Sequence, residues 1–278
     1  ASAWFSAHDR YEEALEQALD ADDYDQVVAL MNNDYAAMMG QDASVRMRDL
    51  IHRLPEDIVK RSLWVNIGAA VACEMQQCFT QEDTYVRAAL AHASDGQVPN
   101  VADAERDSTL VASLQIMQML EAYHKGNAGQ AIEIGQNWLD KDTPDQRGRC
   151  GILNVMGMAW WYVGQFDSAR SCWQDSATLA TYIDWPYSIC LNLFGVARAH
   201  YMGGDLDSAS ETCQHIFAIS DCRDEPVLSS GYAHMLMAKV HYDRNEFDNA
   251  RSEISTARRI AESGNERSLV MHAEMALA

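Results

Sequence analysis

The chain has 278 residues, 48% of them apolar, which is enough to bury a large core and too many for a disordered segment. Its 21 Lys and Arg stand against 41 Asp and Glu, a net charge of −20. That balance repels phosphate backbones and no dense basic run offsets it, so direct contact with DNA, RNA or an anionic membrane is excluded as an expectation. With 15 Gly and 5 Pro the chain is too sparsely punctuated for a β-sandwich or a series of βαβ units, and the expected fold is all-α.

In chain order, apolar periodicity and cap residues predict helices over 11–21, 24–39, 43–53, 56–76, 82–94 and 102–125, with breaks at Pro55 and over 96–100. Further helices are expected over 128–140, 145–163, 166–183, 186–202, 206–220, 226–244 and 247–263, with no Ser/Pro/Gly-rich linker between them. The expected organisation is one continuous superhelix, with a helical lead-in and irregular repeats over 1–100 and a regular array over 101–278. No apolar run reaches membrane length and no signal peptide opens the chain. The seven cysteines (73, 78, 150, 172, 190, 213 and 222) lack paired short spacings, as reduced thiols in a cytoplasm do. The start at Ala1, without an initiator Met, is what an excised fragment would show.

The most informative pattern is a repeat. Gly157, Trp160, Gly164, Phe166 and Ala169 are echoed by Ala197, His200, Gly204, Leu206 and Ala209, and again by Ala238, His241, Asn245, Phe247 and Ala250. A weaker copy runs from Tyr123 through Gly126 to Ala131, and the four terminal alanines follow one another at intervals of 38, 40 and 41 residues. Gly or Asn at 126, 164, 204 and 245 can take the left-handed conformation that closes a helix, and Asn127 and Asp205 can cap the next one. Small residues at 157, 197 and 238 let paired helices approach, and the Phe or Leu after each turn plugs it. One such unit cannot bury its own apolar face, so neighbours must stack.

These positions resemble the tetratricopeptide pattern, lengthened from a period of about 34 residues to one near 40. The fold this implies is a right-handed superhelix of tetratricopeptide-like helical hairpins. The opening, with Trp4, Phe5, Tyr11, Ala14, Ala18, Asp23 and Tyr24, is similar to the segment that follows the ATPase and winged-helix part of large LuxR-type, MalT-like transcriptional regulators. The stretch from Leu54-Pro55 through Arg61 to Leu63 resembles a second element of that family, with Ser62 where Pro is usual. The resemblance implies a sensor region that binds a small-molecule inducer or a regulatory protein, followed by ATP-dependent self-association of the full-length protein and promoter activation by a helix-turn-helix. ATP would belong to an ATPase domain outside this stretch, which has no phosphate loop of its own and needs no cofactor. The competing reading is a free-standing scaffold that grips a partner peptide or protein.

In tetratricopeptide-like hairpins the first helix lines the concave groove. The column eight residues before each anchoring Ala is aromatic throughout: Tyr123, Trp161, Tyr201 and Tyr242. Further columns collect Met158, Arg198 and Lys239, and then Asn154, Phe194 and Met235. Aromatic faces with a few donors suit a flat organic ligand such as a sugar or a nucleoside. The candidate ligand-binding set is therefore Asn154, Met158, Trp161, Phe194, Arg198 and Tyr201, joined by Lys239, Tyr242 and Tyr123. Packing between hairpins accounts for the same aromatics more simply than ligand contact does, and Arg198 and Lys239 could serve solvated ion pairs. Asp20, Asp22, Asp23 and Asp25 suggest a calcium loop, but Met31 stands where a bidentate acid belongs, so helix capping is the better reading. No metal set, catalytic triad or paired-carboxylate motif is apparent, and the chain is not expected to be an enzyme.

Overall fold

The computed structural model describes residues 2–8, 10–40, 51, 53–75, 79–94, 104–140, 145–222, 227–263 and 267–277. Among them are fifteen helices and no strand: α1 (Ser2–Ser6), α2 (Tyr11–Asp20), α3 (Tyr24–Gly40), α4 (Glu56–Arg61), α5 (Leu63–Met75), α6 (Phe79–Ser94), α7 (Ala104–His124) and α8 (Ala128–Leu139), then α9 (Gln146–Tyr162), α10 (Phe166–Tyr182), α11 (Pro186–Met202), α12 (Leu206–Asp221), α13 (Leu228–Asp243), α14 (Phe247–Ser263) and α15 (Arg267–Leu277). No helix among the described residues is long and apolar enough to cross a membrane. The chain divides into two compact units, Ala1–Gly148 and Arg149–Ala278.

One device closes the helices in both units. At Gly126, Gly164, Gly204 and Asn245 the backbone turns to positive φ, between 61° and 79°. The following N–H then reaches back five residues: Asn127 to the Ala122 carbonyl, Gln165 to Trp160, Asp205 to His200 and Glu246 to His241, at 2.8–3.0 Å. Orphan carbonyls at each helix end are satisfied in this way, and the chain reverses within three residues. Asp22 and Asp184, with φ of 54° and 50°, close two more helices through the same bond, although neither is the Gly or Asn that the repeat predicts. Asp205 caps α12 by accepting from the Ser208 N–H at 3.0 Å. Asn127 makes no such side-chain bond, which corrects its expected role as a cap.

In the first unit, the helix expected over 56–76 is two helices. Ser62 is extended (φ −114°, ψ 114°), and its hydroxyl accepts from the Val65 N–H at 3.3 Å to start α5. Buried Asn66 donates to the carbonyls of Val59 and Ser62 at 2.7 and 2.8 Å, filling acceptors that the end of α4 leaves open. The break falls where the family resemblance places Pro. Within this unit Trp64, Ile67, Met117, Leu120 and Trp138 are almost fully buried. Asp23 accepts from the Gln26 N–H, Asp22 from the Tyr24 hydroxyl, and Asp20 pairs with Arg53 at 2.5 Å, so these acids serve caps and ion pairs. The helix expected over 43–53 lies almost wholly outside the described residues, as does the break over 96–100.

In the second unit, first and second helices alternate, and first helices also touch one another, α11 against α13 and α13 against α15. Trp173 on α10 locks successive hairpins together. Its indole is 2% exposed and lies between Gly157 of α9 and Gly195 of α11, where an added Cβ would fall 2.4 and 2.5 Å from the ring. Its Nε1–H donates to the Asn154 carbonyl at 3.3 Å. Cys150 and Ser176 bridge α9 and α10 by exchanging hydrogen bonds with each other's carbonyls, at 3.7 and 3.0 Å. The sequence reading misses α15, whose Leu269 and Ala273 are fully buried at the last hairpin.

Candidate functional site

Eight of the nine sequence-derived candidates lie in the second unit, and four contacts join first helices through them. Asn154 on α9 donates from Nδ2 to the carboxamide oxygen of Asn192 on α11 at 3.0 Å. Arg198 on α11 lays its guanidinium 4.2 Å from the ring centre of Trp161 on α9. Phe194 on α11 meets Tyr232 on α13 with ring centres 5.8 Å apart. Tyr201 on α11 lies beside the Asp243 carboxylate on α13. The face formed by α9, α11 and α13 is therefore stitched together by the residues the repeat columns pick out.

The candidates form two clusters on that face. In the first, Arg198 is shared among Trp161, Trp173 and Phe194, at 4.2, 5.3 and 5.9 Å from their ring centres. Met158, Trp160 and Trp161 cover a buried patch of Ala169, Trp173, Val196 and Ala199. A cation over several aromatic faces is held by their quadrupoles. Trp161 also meets Phe166 edge-on at 4.7 Å, so it seals its own hairpin turn as well as supporting Arg198.

The second cluster surrounds a cleft of about 180 Å³ between α11, α13, α14 and α15. Met235, Ala238, Ala250 and Ile254 form its apolar floor, and Tyr201, Lys239, Tyr242 and Asp243 its rim. Tyr242 is 64% exposed and leans edge-on against Phe247, with ring centres 5.5 Å apart. Lys239 is exposed and makes no ion pair among the described residues. Burial, followed by the neighbouring Asp243 carboxylate, raises the Tyr201 phenol above its ordinary pKa, so the hydroxyl remains protonated at neutral pH. Tyr123, the ninth candidate, belongs to the first unit, where its half-buried ring lies 5.6 Å from His124.

Sequence reasoning misses four residues of this face: Asn192, Gly195, Tyr232 and Asp243. Asn192 follows Asn154 by 38 residues, one repeat, and that spacing could have revealed it. The two histidines of the packing column also take a part the sequence does not show. His200 faces Asp205 at 3.6 Å and His241 faces Glu246 at 2.5 Å across equivalent turns, where Trp160 and Gln165 stand in the preceding repeat. Hydrogen bonds, from Ser208 to Asp205 and from His241 to Glu246, hold both carboxylates below their ordinary range.

Stacked hairpins with positive-φ closures, and a continuous face built from their first helices, define a helical-repeat protein of tetratricopeptide type. The family described as MalT-like TPR region matches residues 112–278, and the chain belongs to it. Among solved structures it is similar in fold to a Rap protein complexed with competence and sporulation factor, at 12% identity and a TM-score of 0.63 over 95% of this chain and 74% of that one. NprR in complex with its cognate peptide NprX gives 14% and 0.59, over 95% and 82%. A signal transduction ATPase with numerous domains from Pyrococcus horikoshii, which carries a tetratricopeptide repeat sensor, gives 14% and 0.58, over 94% of this chain and 38% of that one. None of the curated proteins matches in sequence.

Proposed function

We propose that this chain is the signal-sensing region of a multidomain, ATP-dependent transcription regulator of the bacterial cytoplasm, with no catalysis of its own. The signal, a small-molecule inducer or a regulatory protein, binds the first-helix face of the second unit. There Asn154, Met158, Trp161, Phe194 and Arg198 form one part of the site and Tyr201, Lys239 and Tyr242 the other; Tyr123 is the aromatic of the same sequence column in the first unit. The observation that carries this reading is the cross-helix stitching. A signal seated on Arg198 or Tyr201 bears on two hairpins at once, and its binding energy can shift how they pack. The sensor in the Pyrococcus horikoshii ATPase supports the placement beside an ATPase. The NprR complex with its cognate peptide supports a second form of the same reading, in which the signal is a peptide.

Thermal-shift screening of the 278-residue chain against sugars, aromatic acids, nucleosides and short peptides tests the assignment, with Trp161→Ala and Arg198→Ala as controls. Stabilisation that both substitutions abolish is the expected result; hits that survive both place the site elsewhere. The parent reading frame tests the wider assignment, which requires a phosphate-loop ATPase before Ala1 and a helix-turn-helix after Ala278.

A further inference from the structure

The cleft on α13 constrains what can fill it. Pockets for drug-sized ligands measure about 300–1,000 Å³, whereas a cavity of about 150 Å³ suffices for a benzene ring. At about 180 Å³ this cleft takes one branched aliphatic or aromatic group and little more. A sugar ring placed there would press hydroxyls onto Ala238, Ala250 and Ile254, whose side chains offer no hydrogen-bond partner. Burying one such apolar group contributes a factor of roughly 10 to 100 in affinity, too little to hold a free small molecule tightly. The occupant is therefore one side chain of a longer ligand that also lies across the neighbouring helices.

Charge narrows the choice further. Lys239 and Asp243 are four residues apart on α13, the spacing at which a Lys and an Asp ordinarily pair. Here the two make no ion pair: Asp243 lies beside Tyr201, and the ammonium stands exposed at the rim. Arg198 holds the same column on α11, so in a chain of net charge −20 this face carries two cations in a row. Such a pair favours a ligand bearing carboxylates.

We propose that the cleft is the anchor pocket of a peptide signal: one medium-sized apolar side chain enters it, and an adjacent carboxylate, from Asp, Glu or the peptide's own C-terminus, meets Lys239. The backbone then runs over α11 toward Arg198 and Asn154, whose carboxamide oxygen can accept a peptide N–H. This rests on the sensing face argued above and specifies its ligand.

A positional-scanning array of pentapeptides with free C-termini, read by binding of the fluorescently labelled 278-residue chain, tests it. The expected result is selection of Leu, Ile, Val, Met or Phe at one position and of Asp, Glu or the C-terminus beside it. Ala276→Leu, at an exposed site on the cleft wall, should weaken the selected peptides by about 10- to 100-fold. Lys239→Glu should switch the flanking preference from acidic to basic, a change that mere loss of folding cannot mimic. Both variants should melt with the parent chain. Peptides that bind without apolar selection, or that ignore both substitutions, overturn the anchor pocket and leave the sensing face standing. Failure of every peptide, with a sugar or nucleoside stabilising the chain in a Trp161-dependent way, overturns the peptide assignment alone. Failure of every ligand class overturns both.

Discussion

Replacing Gly195 by Ala tests how the second unit is held together. Alanine is the better helix former, and at an exposed helical site the exchange stabilises by about 0.5–1 kcal/mol. At Gly195 the new Cβ would lie 2.5, 2.8 and 2.9 Å from three indole carbons of Trp173, where ordinary contacts lie at 3.4–4 Å. The ring has nowhere to retreat. Gly157 backs it so closely that a Cβ added there would fall 2.4 Å from Nε1, its Nε1–H is held by the Asn154 carbonyl, and it is 2% exposed. Overpacking of this kind costs about 1–3 kcal/mol, which exceeds the propensity gain. Gly195→Ala should therefore lower the urea midpoint at unchanged slope and speed hydrogen exchange in α9–α11. Gly129→Ala on α8 is the control, because nothing lies within 4 Å of its added Cβ, and it should stabilise. A smaller ring, Trp173→Phe, in the Gly195→Ala background should be less damaging than the sum of the two single changes. A Gly195→Ala chain as stable as the Gly129→Ala chain would refute the interlock.

Arg198→Gln should destabilise the second unit by about 1 kcal/mol, and Arg198→Lys by less, because the ammonium retains part of the attraction to Trp161 and Phe194; urea unfolding measures both. Exposed Cys222 should react with a maleimide within minutes in the native chain, whereas Cys213, buried and pushed up to about 12, and Cys172, pushed up to about 11, should react only slowly, as mass spectrometry of the labelled peptides will show. Asp205 and Glu246 titrate below their ordinary values, so their stabilising effect is present above the unfolded carboxylate range and is lost as the pH falls through the lower folded values. Below that range hydrogen exchange should quicken at the α11–α12 and α13–α14 turns and change least at the α9–α10 turn, where Trp160 and Gln165 carry no titrating group; equal loosening of all three would contradict the assignment.

Much of the second unit was legible because its turn chemistry repeats. Gly164, Gly204 and Asn245 mark the backbone reversals, and counting back from Ala169, Ala209 and Ala250 places Trp161, Tyr201 and Tyr242 on first helices. What escaped depends on contacts between hairpins, which a local pattern does not encode. Gly195 has no counterpart at its position in the neighbouring repeats, and its reason is the Trp173 ring from the preceding hairpin. The partition of the candidates into an Arg198 cluster and a Lys239 cleft was likewise invisible, because it follows from which side chains meet across neighbouring helices. In the first unit the α4–α5 break was missed because Ser62 and Asn66 cap through side-chain bonds that apolar periodicity does not register.

The central claim, that a signal engages the first-helix face of the second unit, is tested most directly by hydrogen exchange of the 278-residue chain with and without the tightest peptide from the array. The account predicts slowed exchange concentrated in α11 and α13 and at the C-terminal end of α9, lost in the Arg198→Ala chain. Protection confined to α10, α12 and α14, or to the first unit, would contradict it.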